Sequence, residues 1–232
     1  MSGPYEGLAP SRADGSFQAG PIGKATSILI WVAALSQVLL AILDWRDYAT
    51  LMDDTKSWDP DSISAIDVIL TVAALPAMVT FIIWLRQVRG NAERFCKAPH
   101  RHGRGWVIGG WFVPIISLWY PKQIVDDIVA ASTPRTSPHA DQLPRLRSSI
   151  VLVWWATWIA STLIGTTDPA RPSGDPAAGD FLWTALISTG NAVLTVVCAV
   201  YAVRVIQLIN NLQASRPWVA WWEPAASATS TS

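Results

Sequence analysis

Cys96, His100 and His102 fall within seven residues of one another in the stretch CKAPHRH, and all three types ligate metals. Their spacing gives neither the Cys pair nor the His pair of a zinc site, and His139 is a distant fourth candidate. The same stretch carries Lys97 and Arg101, and Arg104 follows two residues beyond it. The simpler reading is a basic juxtamembrane loop drawn to anionic headgroups, at about 1 kcal/mol per basic residue. No metal site and no cofactor is expected. Asp126 and Asp127 are adjacent, so on a helix they diverge instead of forming an acid–base pair, and a solvated face is their expected place. The chain has no P-loop, no nucleotide-binding glycine fingerprint and no zinc-protease helix motif, which makes an enzyme the minority reading.

Arg86, Arg89, Asn91, Glu93 and Arg94 form the other polar group. On a helix Arg89 and Glu93 stand four apart and can pair. Asn91 falls nearer the opposite side, where it could cap irregular backbone over 105–121; a clasp is expected there more than a ligand site. Asn191 lies mid-way through an apolar run and reads as an interhelical hydrogen bond, worth about 0.6–2 kcal/mol. Small residues such as Ala33, Ala73 and Ala74 could allow close helix packing. No apolar run has Asp, Glu, Lys or Arg at its centre, which counts against a proton-coupled pump.

The elements that must position these residues follow from composition. Apolar types make up 51% of the 232 residues and charged types 15%, against about 25% in soluble domains. There are 14 Trp, a residue suited to places half dry and half wet. Four apolar runs are long enough, or nearly so, to span about 30 Å of hydrocarbon. The spans are placed at about 25–45, 66–86, 148–166 and 181–209, the second kinked at Pro76 and the fourth overlong at its Arg204 end. The first run follows too long a polar leader, and is itself too long, for a secretory signal. Residues 1–23 and 213–232 read as tails flanking a membrane domain over 24–212. The cysteines Cys96 and Cys198 are expected as free thiols.

Charge sets the topology. Residues 86–147 hold ten of the 17 Lys and Arg, whereas 44–67 hold seven Asp against Arg46 and Lys56. Residues 166–180 hold Asp168, Asp175 and Asp180 against Arg171. Basic flanks stay inside, so 86–147 and both termini are cytoplasmic, in a multi-pass protein of the inner (cytoplasmic) membrane. Trp45 and Trp183 then fall near the outer interface and Trp84 near the inner one.

The run GRGWVIGGWFVPIISLWYPK, residues 103–122, is apolar yet broken by Gly and Pro. A crossing here would make the number of passes odd and put either an acidic loop inside or a basic loop outside. It is therefore expected as a non-crossing element, re-entrant or interfacial, on the cytoplasmic side. Residues 120–132 follow as a short amphipathic helix, and 133–149 as a flexible basic linker.

LRQVRGNAERF (85–95) and GWVIGGWFVPIISLWYPKQIV (105–125) together resemble the actinobacterial membrane family catalogued as domain of unknown function 4328. The matching positions are Arg86, Arg89, Asn91, Gly105, Trp106, Gly109, Gly110, Trp111, Phe112, Pro114, Leu118, Trp119 and Pro121. Ser117 stands where that family usually has Asn. The resemblance implies a four-span helical membrane protein and no particular reaction.

The expected fold is all-α and integral to the membrane: four transmembrane helices, the non-crossing 105–132 region with its Gly/Pro-rich segment, and the amphipathic helix. The expected function is an accessory or interaction module working through the basic loop 86–147. The alternative is a small-molecule or lipid transporter or binding protein with its site at 105–121. Partners are the bilayer's anionic headgroups at the cytoplasmic face and a protein or second copy; zero net charge argues against nucleic acid. Any site is expected among Arg86, Arg89, Asn91, Trp106, Gly109, Gly110, Trp111, Pro114, Ser117 and Pro121, with Asn191 as the intramembrane polar residue.

Overall fold

The computed structural model describes residues 19–53, 65–166, 178–216 and 220–222, and every element among them is helical. The chain enters at α1 (Ala19–Leu51), so the last residues of the stretch read as an N-terminal tail are helix, while 1–18 lie outside the described residues. The second apolar run forms α2 (Ala65–Val72) and α3 (Ala74–Phe95), broken at Ala73. Pro76 causes the break, because it has no N–H to return to the Val72 carbonyl. The Ala73 N–H tightens instead onto the Leu70 carbonyl at 3.3 Å.

Two single turns follow, α4 (Trp106–Gly109) and α5 (Pro114–Ser117), then α6 (Tyr120–Ser132), α7 (Ser149–Thr166) and α8 (Ala178–Ala214). Three helical stretches, Gly20–Leu51, Val68–Phe95 and Gly179–Ala214, are long and apolar enough to cross a membrane, which is compatible with a multi-pass membrane protein. The apolar helix over Ser149–Gly165 is shorter.

α8 is the central element: α1 packs along one side of it and α7 along another, and α1 also packs on α3. Alanine makes these approaches close. Ala34 and Ala41 of α1 are buried, as are Ala185, Ala192 and Ala199 of α8, each seven residues from the next. A seven-residue repeat keeps one seam of a helix facing its neighbour. The outward faces carry Ile28, Leu35, Ile42, Val79, Leu163 and Val193, all exposed. In hydrocarbon such faces incur no hydrophobic penalty.

The densest packing lies at one end of the bundle. Trp84, Leu85 and Val88 of α3, Ile124, Val125 and Ile128 of α6, Val151 of α7 and Val205, Ile206 and Ile209 of α8 are almost wholly buried in one cluster. The 37 residues of α8 reach roughly 55 Å, so its overhang beyond Arg204 supplies part of this cap core. Trp84, expected near the inner interface, is buried inside this cap core, and its indole N–H donates to Asn210 Oδ1 at 3.1 Å. Trp45 and Trp183 are exposed at the other end, with the Trp45 indole donating to Thr189 Oγ1 at 2.9 Å.

Candidate functional site

α3 continues past its apolar stretch for more than two turns, and the 100° step per residue distributes its polar groups around the axis. Arg89 is 4% exposed, and its Nε donates to Glu93 at 2.9 Å, the expected i,i+4 pair. Its Nη2 donates to the His102 carbonyl at 2.9 Å, which fastens the 97–105 stretch to α3. The second Glu93 oxygen takes the Arg104 Nε at 2.6 Å.

Asn91 points the other way. Its amide donates to Gln213 Oε1 at 3.0 Å, so it ties α3 to α8 and does not cap the 105–121 backbone. That backbone satisfies itself through tight turns: Gly110 N–H to Trp106 O at 3.0 Å, Phe112 N–H to Gly109 O at 3.2 Å and Ser117 N–H to Val113 O at 2.8 Å.

Gln213 donates in turn to the Val88 carbonyl at 2.8 Å and Ser132 Oγ at 3.1 Å. Arg216, beyond the end of α8, donates to the Ala131 carbonyl at 2.7 Å and to the Thr136 carbonyl. One guanidinium thus joins α8 to the end of α6 and the loop after it. The stretches read as a C-terminal tail and as a flexible 133–149 linker are, at Gln213, Arg216 and Thr136, parts of the cap. Neither Gln213 nor Arg216 is among the expected site residues. The signal was there: Gln213 continues the buried stripe of Ala202, Ile206 and Ile209 at helical spacing.

The ten expected site residues separate into groups. Arg86, Arg89 and Asn91 border a cleft of about 460 Å³, shared with Gly90, Arg104 and Trp222. Trp106 packs edge-on against Tyr120 at 5.1 Å, with Gly109 and Gly110 beneath. Pro121 is buried at the start of α6. Trp111 inserts between α3 and α7, its ring 5.8 Å from Phe81 and 5.3 Å from Trp158. Pro114 and Ser117 close the α5 turn through a hydroxyl bond of 2.7 Å, and among the described residues neither is hydrogen-bonded to Arg89 or Asn91, whose partners are Glu93, His102 and Gln213. Asn191 is half-buried, its Oδ1 has no hydrogen-bond partner, and a Cβ on Gly165 would stand 3.9 Å from its Nδ2.

Asp127 is not on a solvated face. It is 4% exposed and takes the Arg101 backbone N–H and Nε, both at 2.8 Å, because the 97–102 stretch folds back onto α6. Asp126 pairs with Lys122 at 2.6 Å, yet burial raises its carboxyl pKa and outweighs the Lys122 and Arg101 charges. Burial, then the Arg89 charge, lowers the His100 imidazole pKa to about 4. Cys96, His100 and His102 do not converge: the Cys96 thiol faces the Ser137 carbonyl, and His102 stacks on Tyr120 at 3.8 Å. Among the described residues no three His, Cys, Asp or Glu side chains gather as metal ligands, and both cysteines are free.

The family model described as "Domain of unknown function (DUF4328)" matches residues 48–211, which include the α3 arginines and the whole Gly/Pro-rich segment. The chain belongs to this family. No curated protein and no solved structure matches it. Within the matched span lie the cleft residues Arg86, Gly90, Arg94 and Arg104, whereas Arg216 and Trp222 fall beyond it.

Proposed function

We propose that this protein is an accessory or interaction module of the cytoplasmic membrane, with four crossings, both termini inside, and a cap built on residues 86–147. The fourth crossing in this reading is α7, whose 18 residues reach about 27 Å, close to the hydrocarbon thickness. The observation that carries the proposal is the hydrogen-bonded hub of Gln213, Asn91, Ser132 and Arg216, which fixes the cap to the spans. A long basic connection becomes one rigid surface suited to holding a partner. The exposed Phe112, Ile115 and Trp119 on that cap suit the hydrocarbon boundary, and the insertion of Trp111 supports a segment that dips without crossing.

A second reading, a lipid or small-molecule carrier, is favoured by an apolar cavity of about 270 Å³ between the spans, lined by Met78, Phe81, Trp111, Trp154 and Trp158. Cysteine labelling of residues 122–147 tests the topology: reaction from inside only is expected, and reaction from outside overturns four passes. Co-purification from native membranes separates the roles. A reproducible protein partner supports the module, whereas a small molecule retained in the Trp-lined cavity supports the carrier.

A further inference from the structure

The cleft on the outer face of α3 has an unbalanced set of charges. Arg86, Arg89, Arg94 and Arg104 line it, and Glu93 is its one acidic residue among the described residues. Glu93 is already used, one oxygen by Arg89 and the other by Arg104. Arg86 and Arg94 are exposed, and their guanidinium groups have no ion-pair or hydrogen-bond partner among the described residues; the Arg94 carbonyl takes the Trp221 N–H at 3.0 Å. Arg89 keeps its Nη1 buried without a partner. Gly90 lies between Arg86 and Arg94 on the same row of the helix, four residues from each. A Cβ at Gly90 would meet nothing within 4 Å, so close packing does not account for a glycine in this helix interior. Its missing side chain leaves the floor of the cleft open beneath two long cationic arms.

We infer that this cleft is a binding site for a phosphate-bearing anion, gripped by Arg86 and Arg94 above Gly90, with Arg104 at its edge. Guanidinium forks match the oxygens of a phosphate, and several around one cavity outweigh the Glu93 carboxylate, the one acid among the described lining residues. At about 460 Å³ the cleft has room for the polar group esterified to the phosphate as well. Two sources offer this chemistry: the headgroup of an anionic phospholipid, or a soluble phosphate ester. Arg86 directly follows the apolar run ending at Leu85, which puts the cleft at headgroup level if 86–147 is cytoplasmic; to that extent the headgroup source rests on the proposed topology.

Binding to the full-length protein purified in detergent reads the site independently of topology. The probes are phosphatidylglycerol against phosphatidylcholine, followed by native mass spectrometry, and glycerol 3-phosphate, followed by calorimetry. The expected result is at least tenfold preference for one phosphate-bearing anion over phosphatidylcholine. Arg86→Gln with Arg94→Gln should remove it, and so should Gly90→Leu, which fills the floor without touching a charge. Arg145→Gln with Arg147→Gln, an equal loss of charge elsewhere on the cap, should change binding less than twofold. Binding of the lipid alone assigns the headgroup source, and binding of the soluble ester assigns the other. No preference for either, or equal losses from both arginine pairs, overturns the site. Failure of the topology labelling would leave a positive binding result standing and remove only the headgroup-level argument.

Discussion

The side-chain amide of Asn91 donates to Gln213 Oε1 at 3.0 Å, joining the ends of α3 and α8 across 122 positions of sequence. Both residues are about 3% exposed. A buried amide pair is an all-or-none arrangement, because losing one partner strands the other in a place water does not reach. Here the pair also recruits Val88 and Ser132, so three helices share one polar node.

Replacing Gln213 by Leu keeps the volume and strands the Asn91 amide and the Ser132 hydroxyl. The expected cost is about 2–3 kcal/mol in the unfolding of the purified protein. Adding Asn91→Leu should return part of that loss, since two apolar partners leave fewer polar groups unmet. A double variant as unstable as the sum of the singles would refute the coupling.

Gly109 and Gly110 look alike in sequence and differ in the fold. A Cβ at Gly110 would stand 2.7 Å from the Trp106 carbonyl oxygen and 3.3 Å from Tyr120 Cβ, and backbone there cannot yield cheaply. At Gly109 the nearest atom would be Trp106 Cε3, at an ordinary 3.6 Å. Gly110→Ala is therefore expected to lower stability by about 1–3 kcal/mol, and Gly109→Ala by under about 0.5 kcal/mol. Thermal unfolding followed by tryptophan fluorescence reads the contrast, which equal effects would contradict.

His100 should make the cap sensitive to acid. Burial and then the Arg89 charge lower its pKa to about 4 from 6.5, partly opposed by Asp127 and Glu93. The unfolded chain binds the proton near 6.5 and the folded chain only near 4. Its contribution is therefore complete above pH 6.5, is lost as pH falls through that window, and levels off below about 4. The upper limit is about 3 kcal/mol. His100→Gln should flatten stability between pH 6.5 and 4; an unchanged slope would show that His100 does not cause it.

Much of this architecture is legible in the sequence, because apolar runs and glycine or proline breaks act locally. Pro76 placed a break three residues from Ala73, and the Arg89–Glu93 spacing gave a real pair. What the sequence hid depends on tertiary neighbours. Ala33, noted for close packing, gives way to its neighbour Ala34, because the buried positions follow a seven-residue series, Ala34 and Ala41 on α1 and Ala185, Ala192 and Ala199 on α8. Asp127 looks solvated until the 97–102 stretch folds over it. The cleft needs Arg104 beside Arg86 and Arg94, a meeting that no spacing announces.

Asn191 separates a structural polar residue from an unsatisfied one. If it served as interhelical glue, its side chain would bond a neighbouring helix, yet its Oδ1 is buried without a partner beside α7. An unmet amide oxygen among apolar helices is a cost that packing alone does not offset. Asn191→Leu should therefore leave the purified monomer as stable as before or stabilise it, by about 1 kcal/mol. Thermal unfolding in detergent, with oligomeric state checked by size, makes the comparison. A loss of about 1 kcal/mol or more would instead give the Asn191 oxygen a partner outside this chain, a second copy or a bound molecule, and the size measurement would say which.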